Sequence, residues 1–584
     1  MRMRFCYGSI VIFLLAALAA CSRTNTGTST DIPHLRKQGT ATQLIVDGKA
    51  FLVLGGELHN SSASNLEYLK PVWPRLKAMR INTVLTPIYW EFLEPKEGQF
   101  DFSLVDGQIR DAQSHDMRLV FLWLGSWKNS MSSYVPDWVK TNQDRFPRAQ
   151  DRDGTGIEAL STLSAANRDA DAKAFVALMR HIKEVDGQRR VIMIQVENEV
   201  GRMGDTRDRS EAANKAFAGP VPKELLDYIG SHKDTIHPEL RKAWDAAGSL
   251  TSGTWEQVLG KGARTEESFM AWNYATYLNH VAAAGKAEYP LPMFVNAFPS
   301  GPNRAPGMYP SGGPVPEVAD IWKAGAPAID FLTPNSYDPN LTDLWTRYHT
   351  ANNPLFIPET NGTTGAHTVF YALGQHDAIG FAPFGIDSLG VPPGTGTPTA
   401  PADLPLTQSY EIVTQLAPLI LENQGKGKMA AVLVGPDDPP QKIPLGNYVL
   451  EVSYARTRRP PIAAPAKPAA GGPPALRSPA PAAAGGFPGA AQLADRAGAL
   501  FISVGPDEYI ATGSGPVSVA FSPNTPGAPI AGILSVDEGT FVNGRWVPGR
   551  RLNGDENGQG KFLRLGGGTS RNGPIQRVKL YRFR

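Results

Sequence analysis

The sequence predicts a (β/α)8 TIM barrel followed by a C-terminal antiparallel β-sandwich domain, and three observations carry that prediction. Between about residues 44 and 425, short apolar runs alternate with longer amphipathic stretches, the pattern of βα units around a parallel sheet. Eight such runs are present, the number a closed barrel needs. Beyond about residue 428 the texture changes to short alternating runs broken by Gly, Pro and Asp, which suits a sandwich or jelly roll. With 584 residues, 42% hydrophobic and 19% charged, the chain can bury more than one core.

The N-terminus comes first. Arg2 and Arg4 precede an apolar stretch from Ile10 to Ala20, too short for a comfortable membrane span and of the form of a signal peptide over residues 1–21. It ends Leu18-Ala19-Ala20-Cys21, which resembles the bacterial lipoprotein box, so Cys21 is expected to be lipidated and to anchor an exported protein to a membrane. Ser22 after it favours the outer membrane or periplasm. Cys6 and Cys21 are the only two cysteines, so the mature chain is expected to form no intramolecular disulfide. Residues 22–36 begin with a polar, flexible run and read as a tether.

The barrel is then expected over residues 37–427. Its strands are predicted at 50–57, 82–90, 118–125, 191–199, 292–298, 329–337, 354–359 and 378–385. The intervening stretches carry apolar residues at spacings of three and four, as helices that cover a sheet do. The longest insertions follow the third strand (126–165) and the fourth (201–262), at the face where barrel enzymes keep their chemistry. The β-rich accessory domain spans 428–584. Within it a Pro/Ala/Gly tract at about 460–491 lacks the large apolar residues needed to offset its own ordering entropy, and it reads as a disordered insert.

The formal net charge is +2, with no long Lys/Arg cluster, so nucleic acid is not an expected partner. Ten histidines are scattered, HExxH and Cys clusters are absent, and no glycine-rich loop follows a strand; neither a metal nor a cofactor is expected. The chemistry-bearing residues are acidic. VIMIQVENEVG (191–201) is a buried-strand pattern that closes on Glu197, Asn198 and Glu199. NPLFIPETNG closes another on Glu359. Side chains at the carboxyl ends of barrel strands converge on one mouth, so Glu199 and Glu359 can face each other across a sugar-sized gap. Such a pair can cleave a glycosidic bond, one acid protonating the leaving oxygen while the other attacks or stabilises the oxocarbenium-like centre.

These residues, together with FLVLGGELHN (51–60), YVPDWV (134–139) and the run from Trp90 to Phe102 that reads W-E-x-x-E-P-x-x-G-x-F-D-F, make the chain similar to glycoside hydrolase family 35, the β-galactosidase family in the clan of (β/α)8 retaining glycosidases. The resemblance implies that Glu199 is the general acid/base, Asn198 a ligand of the sugar 2-hydroxyl and Glu359 the nucleophile. It implies a retaining exo-β-glycosidase, a β-galactosidase that releases terminal galactose from plant-type oligosaccharides or polysaccharide side chains. Another β-glycosidase of the clan (a glucosidase, mannosidase or arabinosidase) and a non-catalytic surface glycan-binding lipoprotein are the alternatives. After the third strand the family's usual Asn-Ala-Glu loop is replaced by Gly125-Ser126-Trp127-Lys128-Asn129.

Further substrate contacts are expected around the pair. Tyr337, ending the sixth strand, is placed to donate a hydrogen bond to Glu359 and keep it ionised. Glu57 and His59 end the first strand. Trp127 is the expected platform for a sugar face, with Lys128 and Asn129 as hydroxyl ligands; Trp90 and Trp123 are expected to be packing residues. Glu197, two positions before Glu199, is expected on the same face at the barrel rim.

Overall fold

A computed structural model describes residues 31–301, 303–392, 396–455, 493–566 and 575–584. The leader with Cys21, the first part of the tether and the Pro/Ala tract at 460–491 lie outside the described residues.

Eight parallel strands form the barrel: Val53–Glu57, Thr83–Tyr89, Arg118–Lys128, Val191–Asn198, Met293–Ala297, Phe331–Ser336, Glu359–Thr360 and Gly380–Phe381. They lie side by side in chain order, with the eighth paired to the first. The barrel closes between the seventh and eighth runs, where the Ile357 N–H donates to the Gly380 carbonyl (3.1 Å) and the Ala382 N–H to the Ile357 carbonyl (2.8 Å). Every position of the fourth strand is buried, because a parallel sheet is covered by helices outside and filled by side chains inside. This accounts for its nearly unbroken apolar run.

The helices follow from their faces and caps. Ser164 caps the helix Ala165–Val185 by accepting from the Asn167 N–H (3.2 Å), and Phe175, Leu178, Met179 and Ile182 form its buried stripe. It packs against the long helix Ala263–Glu288, and the approach is close enough to need glycine: a Cβ on Gly285 would lie 2.3 Å from the Phe175 ring. Between the first two barrel strands the intervening stretch, expected to be helical, forms two short helices, Leu66–Leu69 and Val72–Ala78, with Pro71 at the N-cap of the second.

Before the barrel, the strands His34–Gln38, Ala41–Val46 and Lys49–Phe51 form an antiparallel sheet. Residues 34–36, read as tether, therefore lie in a strand, and the predicted first run at 50–57 divides between this sheet and the barrel.

The C-terminal domain is a sandwich of a six-stranded and a four-stranded antiparallel sheet. Its strand Met429–Val434 shows how period-two alternation serves two cores. Ala430, Val432 and Val434 face the sandwich interior with Leu450, Val452 and Val519, whereas Ala431 and Leu433 join Leu500 and Ile502 in the hydrophobic cluster of the barrel. The barrel helix Gly365–His376 lies on this second face, where a Cβ on Gly374 would meet Leu500 at 2.3 Å.

Candidate active site

The chain ends the fourth barrel strand with two residues in left-handed backbone, Glu197 (φ 61°) and Glu199 (φ 48°). For a side chain with a Cβ each such conformation costs about 1–3 kcal/mol and persists only where the surroundings over-determine it. Here they do. The Glu199 N–H donates to Asn296 Oδ1 (2.9 Å), and the Glu199 carbonyl accepts from the Ser130 hydroxyl (2.6 Å). The turn Lys128-Asn129-Ser130, pinned by the Asn129 N–H on the Asn198 carbonyl (3.1 Å), supplies that hydroxyl.

The consequence for Glu197 is a correction. Regular alternation would set it beside Glu199, but the register between the third and fourth strands shifts between Trp123 and Lys128. The residues left over wrap the Glu197 carboxylate instead: the N–H groups of Gly125, Ser126 and Trp127 donate to it at 3.2, 2.8 and 2.9 Å. Only glycine fits at 125, since a Cβ there would lie 2.7 Å from Glu197 Oε1. Burial and then the neighbouring Asp171 hold the Glu197 carboxyl well above the usual carboxylate range. Asp171 is itself held by the Trp123 indole N–H (2.9 Å) and the Ser126 hydroxyl (2.6 Å). Glu197 thus shapes the wall of the third strand.

Trp127 goes with that wall. Expected as a sugar platform, it is fully buried, its ring edge-on to Tyr274 and Tyr277 and its indole N–H on the Leu160 carbonyl (3.1 Å), so it has no free face to offer. The bulge that forms the Glu197 cradle is what turns it inward. Trp90 and Trp123 are fully buried, as expected of packing residues. Glu94, within the run from Trp90 to Phe102, is a buried clamp whose oxygens accept from the Trp90 indole (3.0 Å) and the Gly98 N–H (2.7 Å).

Glu199 and Glu359 meet at the mouth, buried but for 5% and 7% of their surface. Between them lies Asn335, on the sixth strand, whose Nδ2 donates to Glu199 Oε1 at 2.6 Å and to Glu359 Oε2 at 2.8 Å. Because one nitrogen makes both bonds, the two oxygens are separated by at most the sum of 2.6 and 2.8 Å, or 5.4 Å. The other Glu359 oxygen accepts from the Tyr337 hydroxyl at 2.6 Å. Sequence reasoning missed Asn335. It sits two residues before Tyr337 on the same strand, and that period of two was the signal available.

Asn198 occupies the floor with every side-chain group engaged: Nδ2 donates to Asn129 Oδ1 (3.1 Å), and Oδ1 accepts from Gln195 (3.1 Å) and from Asn296 (2.9 Å), whose amide also reaches Asn335 Oδ1 (3.2 Å). Lys128, 5% exposed, donates to Asn129 Oδ1 (2.7 Å), and its charge lowers the pKa of Glu57, Glu199 and Glu359 alike, so all four groups face one space. His59 is half-exposed at the rim, its Nδ1 2.9 Å from Asp387 and its ring edge-on to Phe384 at 5.2 Å. Asp387 and Phe384 carry no sequence signal of their own; the return of the eighth strand brings them there.

Electrostatics separates the two acids. Burial, aided by Glu359, pushes Glu199 up to about 7, while Lys128 and the Asn335 amide pull in the other direction. Burial also raises Glu359, against Lys128, the Tyr337 hydroxyl and the Asn335 amide. Glu359 has both oxygens occupied by neutral donors and so is the better stabilised anion. One proton on Glu199 and a charge on Glu359 is the division of labour that a double displacement starts from.

Asn335→Ala is expected to lower kcat about 10- to 100-fold, the effect of losing hydrogen bonds to a charged group. Because the amide lowers both acids, both limbs of the pH profile of kcat/KM should move to higher pH. Unmoved limbs would show that Asn335 merely packs.

Residues 43–239 match the family model of glycosyl hydrolases family 35, and residues 406–564 match a domain of unknown function, DUF5597. A β-galactosidase of Xanthomonas manihotis is 29% identical over 199 residues, 33% of this chain and 30% of that protein. The rat β-galactosidase-1-like protein 3 is 29% identical over 193 residues, 31% of this chain and 27% of that protein. The chain thus spans less than a third of the length of these relatives. Among solved structures, a β-galactosidase from Rahnella sp. R3 aligns with a TM-score of 0.43 at 18% identity, over 64% of this chain and 57% of that one. The catalytic domain of a β-amylase from Paenibacillus polymyxa aligns with a TM-score of 0.44 at 15% identity, over 62% and 98%.

Proposed function

We propose, from the match of residues 43–239 to the family model of glycosyl hydrolases family 35, that the protein is a retaining exo-β-glycosidase whose preferred substrates carry a terminal β-linked galactose, as in plant-type oligosaccharides and polysaccharide side chains. The observation that carries this reading is the Asn335-bridged pair. Facing oxygens at most 5.4 Å apart, joined through a single amide nitrogen, support the short gap of retaining enzymes, about 5–5.5 Å between carboxyl groups, over the wider one of inverting enzymes.

In the first displacement the Glu359 carboxylate attacks the anomeric carbon as Glu199 gives its proton to the leaving oxygen. Tyr337 and Asn335 hold Glu359 in place. Glu199, now a base, then takes a proton from water, which attacks the same carbon and releases the sugar with its configuration kept. A panel of nitrophenyl glycosides tests the reading, with product configuration followed by NMR: fastest turnover of the β-galactoside with retention is expected. Faster cleavage of a glucoside, mannoside or arabinoside would end the galactosidase assignment, and binding without turnover across the panel would end the enzymatic one.

The leader supports an exported protein held at a bacterial membrane through Cys21. A labelled fatty acid is expected in the wild type and not in Cys21→Ser; label in both would remove the anchor from the reading.

A further inference from the structure

The first strand delivers a third carboxyl group to this site. Glu57 is 1% exposed, and its N–H is tied to the Pro383 carbonyl at 2.8 Å, so the first and eighth strands fix its backbone. Its Oε2 is buried and has no hydrogen-bond partner. Glu57 closes the first strand at the same end of the parallel barrel where the fourth and seventh strands carry Glu199 and Glu359, and strand ends converge on one mouth; Glu359, Lys128 and Glu199 act on it through space. A buried polar atom without a partner costs about 1–3 kcal/mol, and a carboxyl left in that state at the mouth that holds the two acids calls for a ligand that supplies one.

We propose that Glu57 is a specificity-determining residue whose unpartnered carboxyl hydrogen-bonds a hydroxyl of the terminal sugar other than the 2-hydroxyl. The proposal rests on the glycosidase reading and deepens it. In the barrel order the first strand lies three places from the fourth, so Glu57 approaches the ring from a different side than Asn198. The ligand is a neutral sugar hydroxyl, because two further carboxyl groups at the cavity disfavour an anion. Burial, reinforced by Glu359, holds the Glu57 carboxyl well above the usual range. That shift favours the protonated acid, which can both donate to a hydroxyl and accept from one. Sites that pair a buried polar group with a substrate hydroxyl reject analogues lacking it far more strongly than apolar pockets reject a missing methylene.

The test is a cycle between residue and substrate. Wild type, Glu57→Gln and Glu57→Leu are assayed on an aryl β-galactoside and its 3-, 4- and 6-deoxy analogues. The wild type is expected to lose about 100-fold or more in kcat/KM on one of the three, as does Glu57→Leu on the parent galactoside. Glu57→Leu should show little further loss on that same analogue, and Glu57→Gln, which keeps a donor and an acceptor, should recover part of the discrimination. Thermal unfolding supplies an independent reading: relieved of a buried unpartnered carboxyl, Glu57→Leu should melt higher than wild type. Equal losses on all three analogues, or a lowered melting temperature with discrimination intact, would overturn the proposal. If the wild type prefers another glycoside, the galactosidase reading fails by itself, and the same cycle on that sugar's deoxy series decides the role of Glu57.

Discussion

Replacing Glu359 by Gln is expected to lower kcat by about 10⁴-fold or more on every substrate, the scale seen when a covalent nucleophile is removed. The physical reason is that nothing else at the mouth can take its place. Glu199 must give a proton in the same step, and burial and then Glu359 disfavour the charged form of Glu57. The fold should survive, because the amide keeps the size of the carboxyl and an oxygen for Tyr337 to donate to. Azide offered to the smaller Glu359→Ala should enter from the face the carboxylate used and yield the α-glycosyl azide, the product of one displacement. Turnover of Glu359→Gln within tenfold of wild type, measured on a preparation freed of wild-type enzyme, would remove Glu359 from the mechanism.

Replacing Glu199 by Ala is expected to give a different profile. On substrates with poor leaving groups, the natural case, the loss should be about 10²- to 10⁴-fold, the usual contribution of general acid catalysis. On activated aryl glycosides the first displacement needs little proton assistance, so the glycosyl-enzyme should accumulate. Azide should then restore turnover and give the β-glycosyl azide, with its configuration retained. The pH profile completes the assignment. Glu199 sits at about 7, so its neutral, proton-donating form persists to that pH, and the wild-type rate should fall as pH rises through it. That alkaline limb should be absent in Glu199→Ala on activated substrates. An identical limb in the variant would assign the titration to another group.

The third strand is built around Glu197 and not around Glu199. Regular alternation makes Glu197 and Glu199 equivalent, and the sequence separates them only through Asn198 and the resemblance it carries. The structure separates them by a bulge: Gly125, Ser126 and Trp127 turn their N–H groups onto Glu197, and Trp127 is drawn into the wall. The same residues that read as a binding loop are thus the support of a buried carboxylate. Asn335 makes the complementary point. Its spacing of two from Tyr337 is the one local hint in an otherwise apolar run, yet its amide is what holds the two acids at a working distance.

The sequence by itself determined the order and number of the barrel strands, the change to a β-sandwich and the two acids at strand ends. Each of these follows from local periodicity and from the rule that strand ends converge on one mouth. Only the tertiary structure decided which neighbouring carboxyls share the cavity, which one is cradled by backbone, and which protein atom is left without a partner. Those outcomes turn on register shifts, left-handed residues and burial, which depend on contacts between positions up to about 300 residues apart, as between Glu57 and Pro383, and leave no pattern in any short stretch of chain.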